Sequence, residues 1–281
     1  MDEEAPIIHA AVEQPTQPTR TYPYAAPLLA AVAVNLYGYA YLQTTTFAWL
    51  LASLVTGLLV LLLCARLPHL RGPLVQSFGA TAILFLALRF YPVVPLMRWI
   101  RNSVQGSPLG YWLIEGPGGG LLGQLPAAVL MLLTGRWVFG LSWADQTGAR
   151  SGLSRHSWFY GAIVGVGISL VTIGLAWATG QGHLSWQFNW ASAGVNLYTN
   201  LLEEIIARGM LLQVVRSALG DTPAVIWTGV VFGLMHGFGP KGLFIAALSW
   251  SLGWAVLRSK SLWGGWIGHQ LSDLIIDSLL H

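Results

Sequence analysis

Charged residues are scarce in this chain. Asp, Glu, Lys and Arg make up 9% of its 281 residues, whereas 54% are hydrophobic and the mean hydropathy is +0.60. An ordinary soluble domain has about 25% charged residues, so this composition excludes a soluble globular fold. A transmembrane helix needs roughly 20 mostly apolar residues, and the sequence provides such stretches repeatedly. It therefore predicts an all-α, polytopic membrane helix bundle.

Cysteine and clustered positive charge are also nearly absent. The single cysteine, Cys64, cannot form a disulfide within one chain. The net charge is +3, but no dense Lys/Arg cluster accompanies it, so we expect no nucleic-acid partner. Residues 1–23 are acidic and contain proline, and they lack the basic segment and cleavage site of a signal peptide. We expect residues 1–23 to be a disordered tail and residues 24–281 to be a transmembrane helical domain.

Apolar runs long enough to cross a bilayer recur along this domain. They predict about nine transmembrane helices, or eight if a short or proline-broken run is re-entrant. The predicted spans are 25–42, 47–65, 78–96, 121–138, 158–178, 190–214, 225–238, 243–257 and 262–280. Basic residues favour the cytoplasmic side of a membrane. With a cytoplasmic N-terminus, only Arg98, Arg101 and Lys241 fall on outside loops, so we expect this orientation.

One predicted span carries ionisable residues at its centre, in "NLYTNLLEEIIARGMLLQVV" at 196–215. Residues four apart share a helix face, so Asn196, Asn200, Glu204 and Arg208 form one polar stripe. Glu204 and Arg208 can pair on this stripe, which lowers the cost of keeping both in the membrane. Glu203 lies off the stripe. Because an ionised residue at a helix centre costs about 2.5–3.5 kcal/mol, Glu203 must have another partner, be protonated or have a function.

Two later spans supply candidate partners for Glu203. "GVVFGLMHG" places His236 four residues after Phe232, and "GGWIGHQLSD" places His269 four residues before Asp273. Small residues recur at every fourth position beside both histidines, a pattern that allows close approach of helices. We expect Glu203, His236, His269 and Asp273 to meet in one cavity.

This set of side chains is suited to two kinds of chemistry. A carboxylate beside a histidine can take a proton from water, and a second histidine beside an Asp can donate hydrogen bonds to an oxyanion. Together these steps would hydrolyse a peptide without a covalent intermediate. Glu203, His236, His269 and Asp273 are also the usual types of zinc ligand. The spacing does not separate the two possibilities. We expect that no cofactor is required, with zinc binding as the alternative.

Three short motifs in this region resemble those of a known family. "EEIIAR" at 203–208 matches EExxxR, "FGLMH" at 232–236 matches FxxxH, and "HQLSD" at 269–273 matches HxxxN/D. In this order on successive membrane helices, they resemble the CAAX protease and bacteriocin-processing family (CPBP or Abi), which includes the Ras-converting CAAX endopeptidases. The resemblance covers a core at about residues 190–280.

The resemblance implies an intramembrane endopeptidase of the glutamate type, from a family long described as metalloproteases. Its substrate would be a membrane-associated protein or peptide, and its location the bacterial cytoplasmic membrane. Glu203 would be the general base with His236, while His269 and Asp273 would stabilise the oxyanion. The CAAX endopeptidases carry Asn where this chain has Asp273, and an Asp can donate to an oxyanion only when it is protonated. The implied supporting residues are Glu204, Arg208 and Phe232.

Two other functions stay open. A non-catalytic membrane immunity or scaffold protein could keep the fold and the motifs, and a proton-coupled transporter could use buried Glu and His as a relay. Transporters often carry internal repeats, and none is evident in this sequence. The HExxH motif of zinc metalloproteases and the Gly-x-Ser-Gly motif of rhomboid proteases are both absent from it.

Overall fold

The computed structural model describes residues 23–42, 47–93, 99, 102–108, 119–148, 152–180, 183–188 and 190–280. Within these ranges the chain is helical, and its one β-type pairing is an isolated antiparallel bridge between Leu184 and Leu280. The predicted all-α fold class is confirmed. Residues 1–22 of the predicted tail lie outside the described residues.

Two segments that are not α-helical directly connect neighbouring helices. A 3-10 turn at Pro68–Leu70 joins α2 to α3, and a π-helical segment at Ile205–Leu211 joins α7 to α8. The α-helices are α1 Ala25–Leu42, α2 Phe47–Arg66, α3 Arg71–Val93, α4 Gly119–Trp137, α5 Trp143–Thr147, α6 Arg155–Ala178, α7 Trp190–Glu204, α8 Leu212–Leu219, α9 Asp221–Met235, α10 Pro240–Ser259 and α11 Leu262–Leu279.

A helix lies at every predicted span, with differences at the ends, and residues 94–96 of the third predicted span lie outside the described residues. Helix α3 begins at Arg71, before the predicted start at residue 78, because Pro73 is tolerated in the first turn of a helix. Helix α9 ends at Met235, before the predicted end at residue 238. Gly237 and Gly239, just beyond it, have φ angles of +119° and +128°, which glycine adopts readily and which stop the helix.

In the described part of the chain, four helical stretches are long and apolar enough to cross a membrane: Phe47–Arg66, Pro68–Leu88, Arg155–Ala178 and Pro240–Ser259. Ala25–Gly38 and Asp221–Met235 are shorter apolar helices. Large apolar side chains point outward from these helices, among them Leu54 and Leu170, which are 69% and 68% exposed. Lipid would cover such a surface. The protein is therefore a multi-pass membrane protein, and the number of eight or nine spans stays a prediction.

Glycines allow the closest helix contacts. A Cβ atom at Gly165 of α6 would meet the backbone carbonyl of Gly268 on α11, and one at Gly233 of α9 would meet the backbone carbonyl of Gly242 on α10. Helix backbones that approach this closely gain van der Waals contact, which drives helix association in lipid. The two histidine-bearing segments are held in the bundle by these contacts.

The helical run that contains Glu203 and Glu204 lies at the centre of the bundle. Ile206, Met210 and Leu211 have no exposed surface, and they belong to the largest apolar core together with residues of α3, α4 and α9. Because the run is enclosed on several sides, its polar groups must find partners inside the protein.

The winding of this central run changes just after Glu204. Residues Ile205–Leu211 form a π-helical segment, in which the N–H of Leu212 donates to the carbonyl of Ala207, five residues earlier. The Gln213 side chain donates to the Arg208 carbonyl at 3.2 Å. Single-turn π segments are rare and are often found at functional sites. The predicted span at 190–214 therefore has the expected extent but not a uniform α-helical winding.

Candidate active site

Two stripes of polar side chains face each other between α7 and α11. Members of each stripe lie four residues apart along the chain and therefore share one helix face. The facing pairs are Asn196 with Asp277, Asn200 with Asp273, and Glu204 with His269. We call these three pairs the polar ladder. The polar ladder sets the register of α7 against α11. It also gives a role to Asn196 and Asn200, which lie on the same helix face as Glu204 and contact α11 as Glu204 does.

Glu204 is the most deeply buried acid of the ladder, with no exposed side-chain surface. Its Oε1 accepts a hydrogen bond from Arg208 Nη1 at 2.8 Å and lies 3.1 Å from His269 Nδ1. Arg208 is also fully buried, and its Nη2 donates to the Ser249 hydroxyl at 2.5 Å and to the Ser249 carbonyl at 3.3 Å. Neither charge of this pair reaches water. Additional hydrogen bonds of this kind make a buried ion pair tolerable because they replace the lost hydration.

His269 presents its second ring nitrogen to two further carboxylates. Because Nδ1 lies beside Glu204, it carries a proton, and Nε2 is the nitrogen that faces the remaining acids. Nε2 lies 3.9 Å from Glu203 Oε2 and 3.8 Å from Asp273 Oδ2. The His269, Glu203 and Asp273 side chains are 13%, 17% and 32% exposed, so they border a space that is partly open. We call this space the polar cleft.

Asp273 is held at the edge of the polar cleft by Asn200. The Asn200 side-chain nitrogen donates to Asp273 Oδ2 at 2.8 Å, and Asn200 itself is 4% exposed. The same nitrogen lies 3.4 Å from the side-chain oxygen of Gln270. A buried amide of this kind restricts the rotamer of the acid that it contacts.

Glu203 turns away from Arg208 and towards α4. Its Oε1 accepts a hydrogen bond of 2.6 Å from Nε2 of Gln124. The bond uses one carboxylate oxygen and leaves Oε2 as the oxygen that faces His269. No sequence motif singles out Gln124, which lies 79 residues before Glu203 and reaches it only through the packing of α4 against α7.

His236 lies at the C-terminal end of α9. The Phe232 ring is close both to the His236 ring and to the His269 ring, which borders the polar cleft. The His236 Nδ1 lies 2.9 Å from the Phe232 carbonyl, and the His236 ring centre lies 4.7 Å from that of Phe232. The His269 ring also lies near Phe232, with 6.0 Å between the two ring centres. The Arg208 guanidinium carbon lies 4.4 Å from the Phe232 ring centre, a cation–π contact. Phe232 thus touches three of the polar residues that the motifs contain.

The sequence-predicted residues therefore fall into two groups. The His269 ring joins Glu203, Glu204 and Asp273 by distances of 3.1–3.9 Å. Among the residues that the structure describes, no hydrogen bond or ion pair joins His236 to Glu203. A water molecule or a substrate group would have to lie between them for the two to act together.

A metal would need three or more protein ligands around one point. Within the described ranges, no three His, Cys, Asp or Glu side chains are grouped in this way. The suggestion that Glu203, His236, His269 and Asp273 bind zinc stays a prediction, which elemental analysis of the purified protein would test.

Comparison with protein families gives one match. The family model of the type II CAAX prenyl endopeptidase Rce1-like proteins matches residues 185–275. Comparisons with curated proteins and with solved structures find no match. The matched segment contains α7, the π-helical segment, α8 to α10 and most of α11. It therefore contains all three motifs and every residue of the polar ladder except Asp277. Residues 185–275 of this membrane protein thus match the Rce1-like CAAX endopeptidase family, within the wider CAAX protease and bacteriocin-processing family of intramembrane proteases.

Proposed function

We propose that the protein hydrolyses a peptide bond of a membrane-associated protein or peptide with a water molecule that Glu203 activates. The observation that carries this proposal is the environment of Glu203. One carboxylate oxygen is fixed by Gln124, and the other faces the His269 ring across a partly open cleft. A carboxylate held in this way can accept a proton from water next to a bound peptide.

In the first step, water lies between Glu203 and His236 and attacks the carbonyl carbon of the scissile bond. Glu203 accepts the proton of the water, and the C–O bond forms as the carbonyl π electrons move to oxygen. His236 positions the water: Nδ1 donates to the Phe232 carbonyl, which leaves Nε2 able to accept a hydrogen bond. When the tetrahedral intermediate collapses, the C–N bond breaks and the proton from Glu203 passes to the leaving amine.

The oxyanion of that intermediate would be stabilised from α11. A protonated His269 would donate its Nε2–H to the oxyanion, and Glu204 would balance its charge from the other ring nitrogen. Asp273 would contribute a hydrogen bond only in its protonated form, next to Asn200. Glu204 and Arg208 take no part in the chemical step, and they hold the His269 ring in position.

We also propose that the N-terminus faces the cytoplasm of a bacterial cell. Arg66 ends α2 and Arg71 begins α3, so two basic residues lie at the same turn. Arg216 and Lys260 line one cavity of about 660 Å³, so the ends of α8 and α10 lie on one face. Basic residues concentrate on cytoplasmic faces, which supports this orientation. Labelling of single cysteines placed beside Arg66 and beside Lys241 would test it, since only the second should react from outside.

The proposed reaction is tested by the Glu203→Gln variant, which keeps the size of the side chain and removes the base. Membrane proteins from wild-type and variant cells are compared for peptide ends that depend on the enzyme, and the purified proteins are then compared on a peptide that spans such an end. We expect cleavage to fall by at least about a hundredfold. Asp221→Asn is the matched control, because Asp221 is an exposed acid paired with Arg216 at 2.7 Å.

Retention of these peptide ends in Glu203→Gln cells would contradict the proposal. If the variant also kept the phenotype of the wild type, the protein would be a non-catalytic immunity or scaffold protein with the same fold.

A further inference from the structure

We propose that Gln124 both positions Glu203 and binds the peptide substrate, so that α4 belongs to the active site. The inference rests on the proposed function, but it concerns a helix outside the motifs and outside the matched segment at 185–275. It assigns separate roles to the two ends of one side-chain amide. The nitrogen orients the general base, and the oxygen accepts a hydrogen bond from a main-chain N–H of the substrate.

The nitrogen end of Gln124 is identified by its partner. An ionised carboxylate can only accept hydrogen bonds, so the atom that lies 2.6 Å from Glu203 Oε1 must be the amide nitrogen. The contact joins two helices, and both residues are only partly exposed. By using one oxygen of Glu203, the bond keeps the other, Oε2, directed to the polar cleft. Loss of the bond would let the carboxylate rotate, and a misplaced base lowers the rate of the chemical step.

The oxygen end of Gln124 has no partner within the described residues, although it is buried. Buried polar atoms normally have a hydrogen-bond partner, and an exception at a site requires an explanation. The amide is planar, so this acceptor is fixed close to the Glu203 carboxylate. A peptide that enters a water-poor site brings main-chain N–H groups that need acceptors. The unpaired oxygen therefore fits an N–H of an extended substrate segment that flanks the scissile bond.

The other hydrogen-bonded amides of this region do not offer the same combination. The side-chain nitrogen of Asn200 donates to Asp273, and that of Gln213 donates to a backbone carbonyl of its own helical run. Among these three, only Gln124 has a nitrogen that donates to Glu203 and a buried oxygen without a partner in the described residues. This is why we assign the substrate contact to α4.

The test compares Gln124→Met with the wild type on a quenched-fluorescence peptide that spans a cleavage site lost in cells that lack the protein. Methionine keeps the length of the side chain and removes both the donor and the acceptor. We expect kcat to fall about 10- to 100-fold and KM to rise about tenfold. A purely structural effect would lower the amount of active protein without changing KM. Gln124→Asn keeps the amide but is one methylene shorter, and it should show the same two changes.

Asn35→Leu is the matched control. The Asn35 amide joins α1 to α2 through a hydrogen bond of 3.0 Å to the Ser53 hydroxyl, away from Glu203. Its kcat and KM should stay within about twofold of the wild type, and its melting temperature in detergent should match that of Gln124→Met. If Glu203→Gln is inactive while both Gln124 variants keep wild-type kcat and KM, the inference is wrong and the proposed function stands. A fall in kcat with unchanged KM overturns the substrate contact. If Glu203→Gln remains active, the proposed function itself fails.

Discussion

Removal of the Arg208 charge is expected to destabilise the protein strongly. In Arg208→Met, the fully buried Glu204 loses its partner at 2.8 Å, and Ser249 loses the donor to its hydroxyl and carbonyl. Breaking a buried ion pair by removing one partner costs about 3–5 kcal/mol. Loss of the contact with the Phe232 ring adds to this cost, while His269 still compensates part of the Glu204 charge. We expect a loss of about 4 kcal/mol, which is roughly a thousandfold change in the unfolding equilibrium.

Unfolding in mixed micelles by a denaturing detergent would measure this loss, with the fluorescence of the 14 tryptophans as the signal. The double variant Glu204→Gln/Arg208→Met no longer buries an uncompensated charge, so it should recover at least half of the lost stability. Arg216→Met is the control, because the Arg216–Asp221 pair is 45% and 60% exposed and should contribute at most about 1 kcal/mol. A loss below about 1 kcal/mol in Arg208→Met, or a double variant less stable than the single one, would refute the reasoning.

Three further predictions concern packing and the oxyanion. Gly165→Ala should destabilise the protein by about 1–3 kcal/mol because the new Cβ meets the backbone of α11, whereas Gly174→Ala on the same helix meets open space and should be neutral or stabilising; equal melting temperatures would contradict this. Gly265→Ala places a methyl group against the Glu204 carboxylate, so turnover should fall at least about tenfold while the protein still inserts; unchanged kinetics would contradict the role of Glu204 in orienting the histidine. Asp273→Asn keeps an acceptor for α7 and gains an N–H donor, so its kcat should stay within about tenfold of the wild type, whereas Asp273→Ala should lose about a hundredfold. The opposite order of the two Asp273 variants would exclude the oxyanion role.

The sequence predicts the extent of the helices well because the signal is local and long. An apolar run of spanning length specifies a helix whatever its neighbours are, and α1, α6 and α11 lie within a few residues of their predicted positions. The π-helical segment at Ile205–Leu211 is not predictable in this way. A π turn differs from an α turn in its hydrogen-bond pattern, and the same apolar residues are compatible with both.

In the candidate site, too, the sequence predicts contacts within one helix but not contacts between helices. Spacing of four residues predicts the Glu204–Arg208 pair and the shared face of His269 and Asp273, since these depend on one helix only. Contacts between helices depend on the rotation of each helix about its axis, which the spacing does not contain. For this reason the sequence does not reveal that Glu204 contacts His269 or that Gln124 contacts Glu203. It also does not predict that the His269 ring, and not that of His236, lies within 3.9 Å of Glu203.

The wide turn that follows Glu204 has a consequence for length changes in the chain. A π bulge is equivalent to one surplus residue in an α-helix, so the stretch Ile205–Leu211 has room to lose a residue and return to regular winding with both flanks still in phase. A deletion anywhere else in the run from Trp190 to Leu219 would rotate everything downstream by about 100°. Relatives of this chain that lack one residue here should therefore still align their acids and their histidines. A one-residue gap in this stretch would change the winding from π to α and leave the contacts of the polar ladder in place.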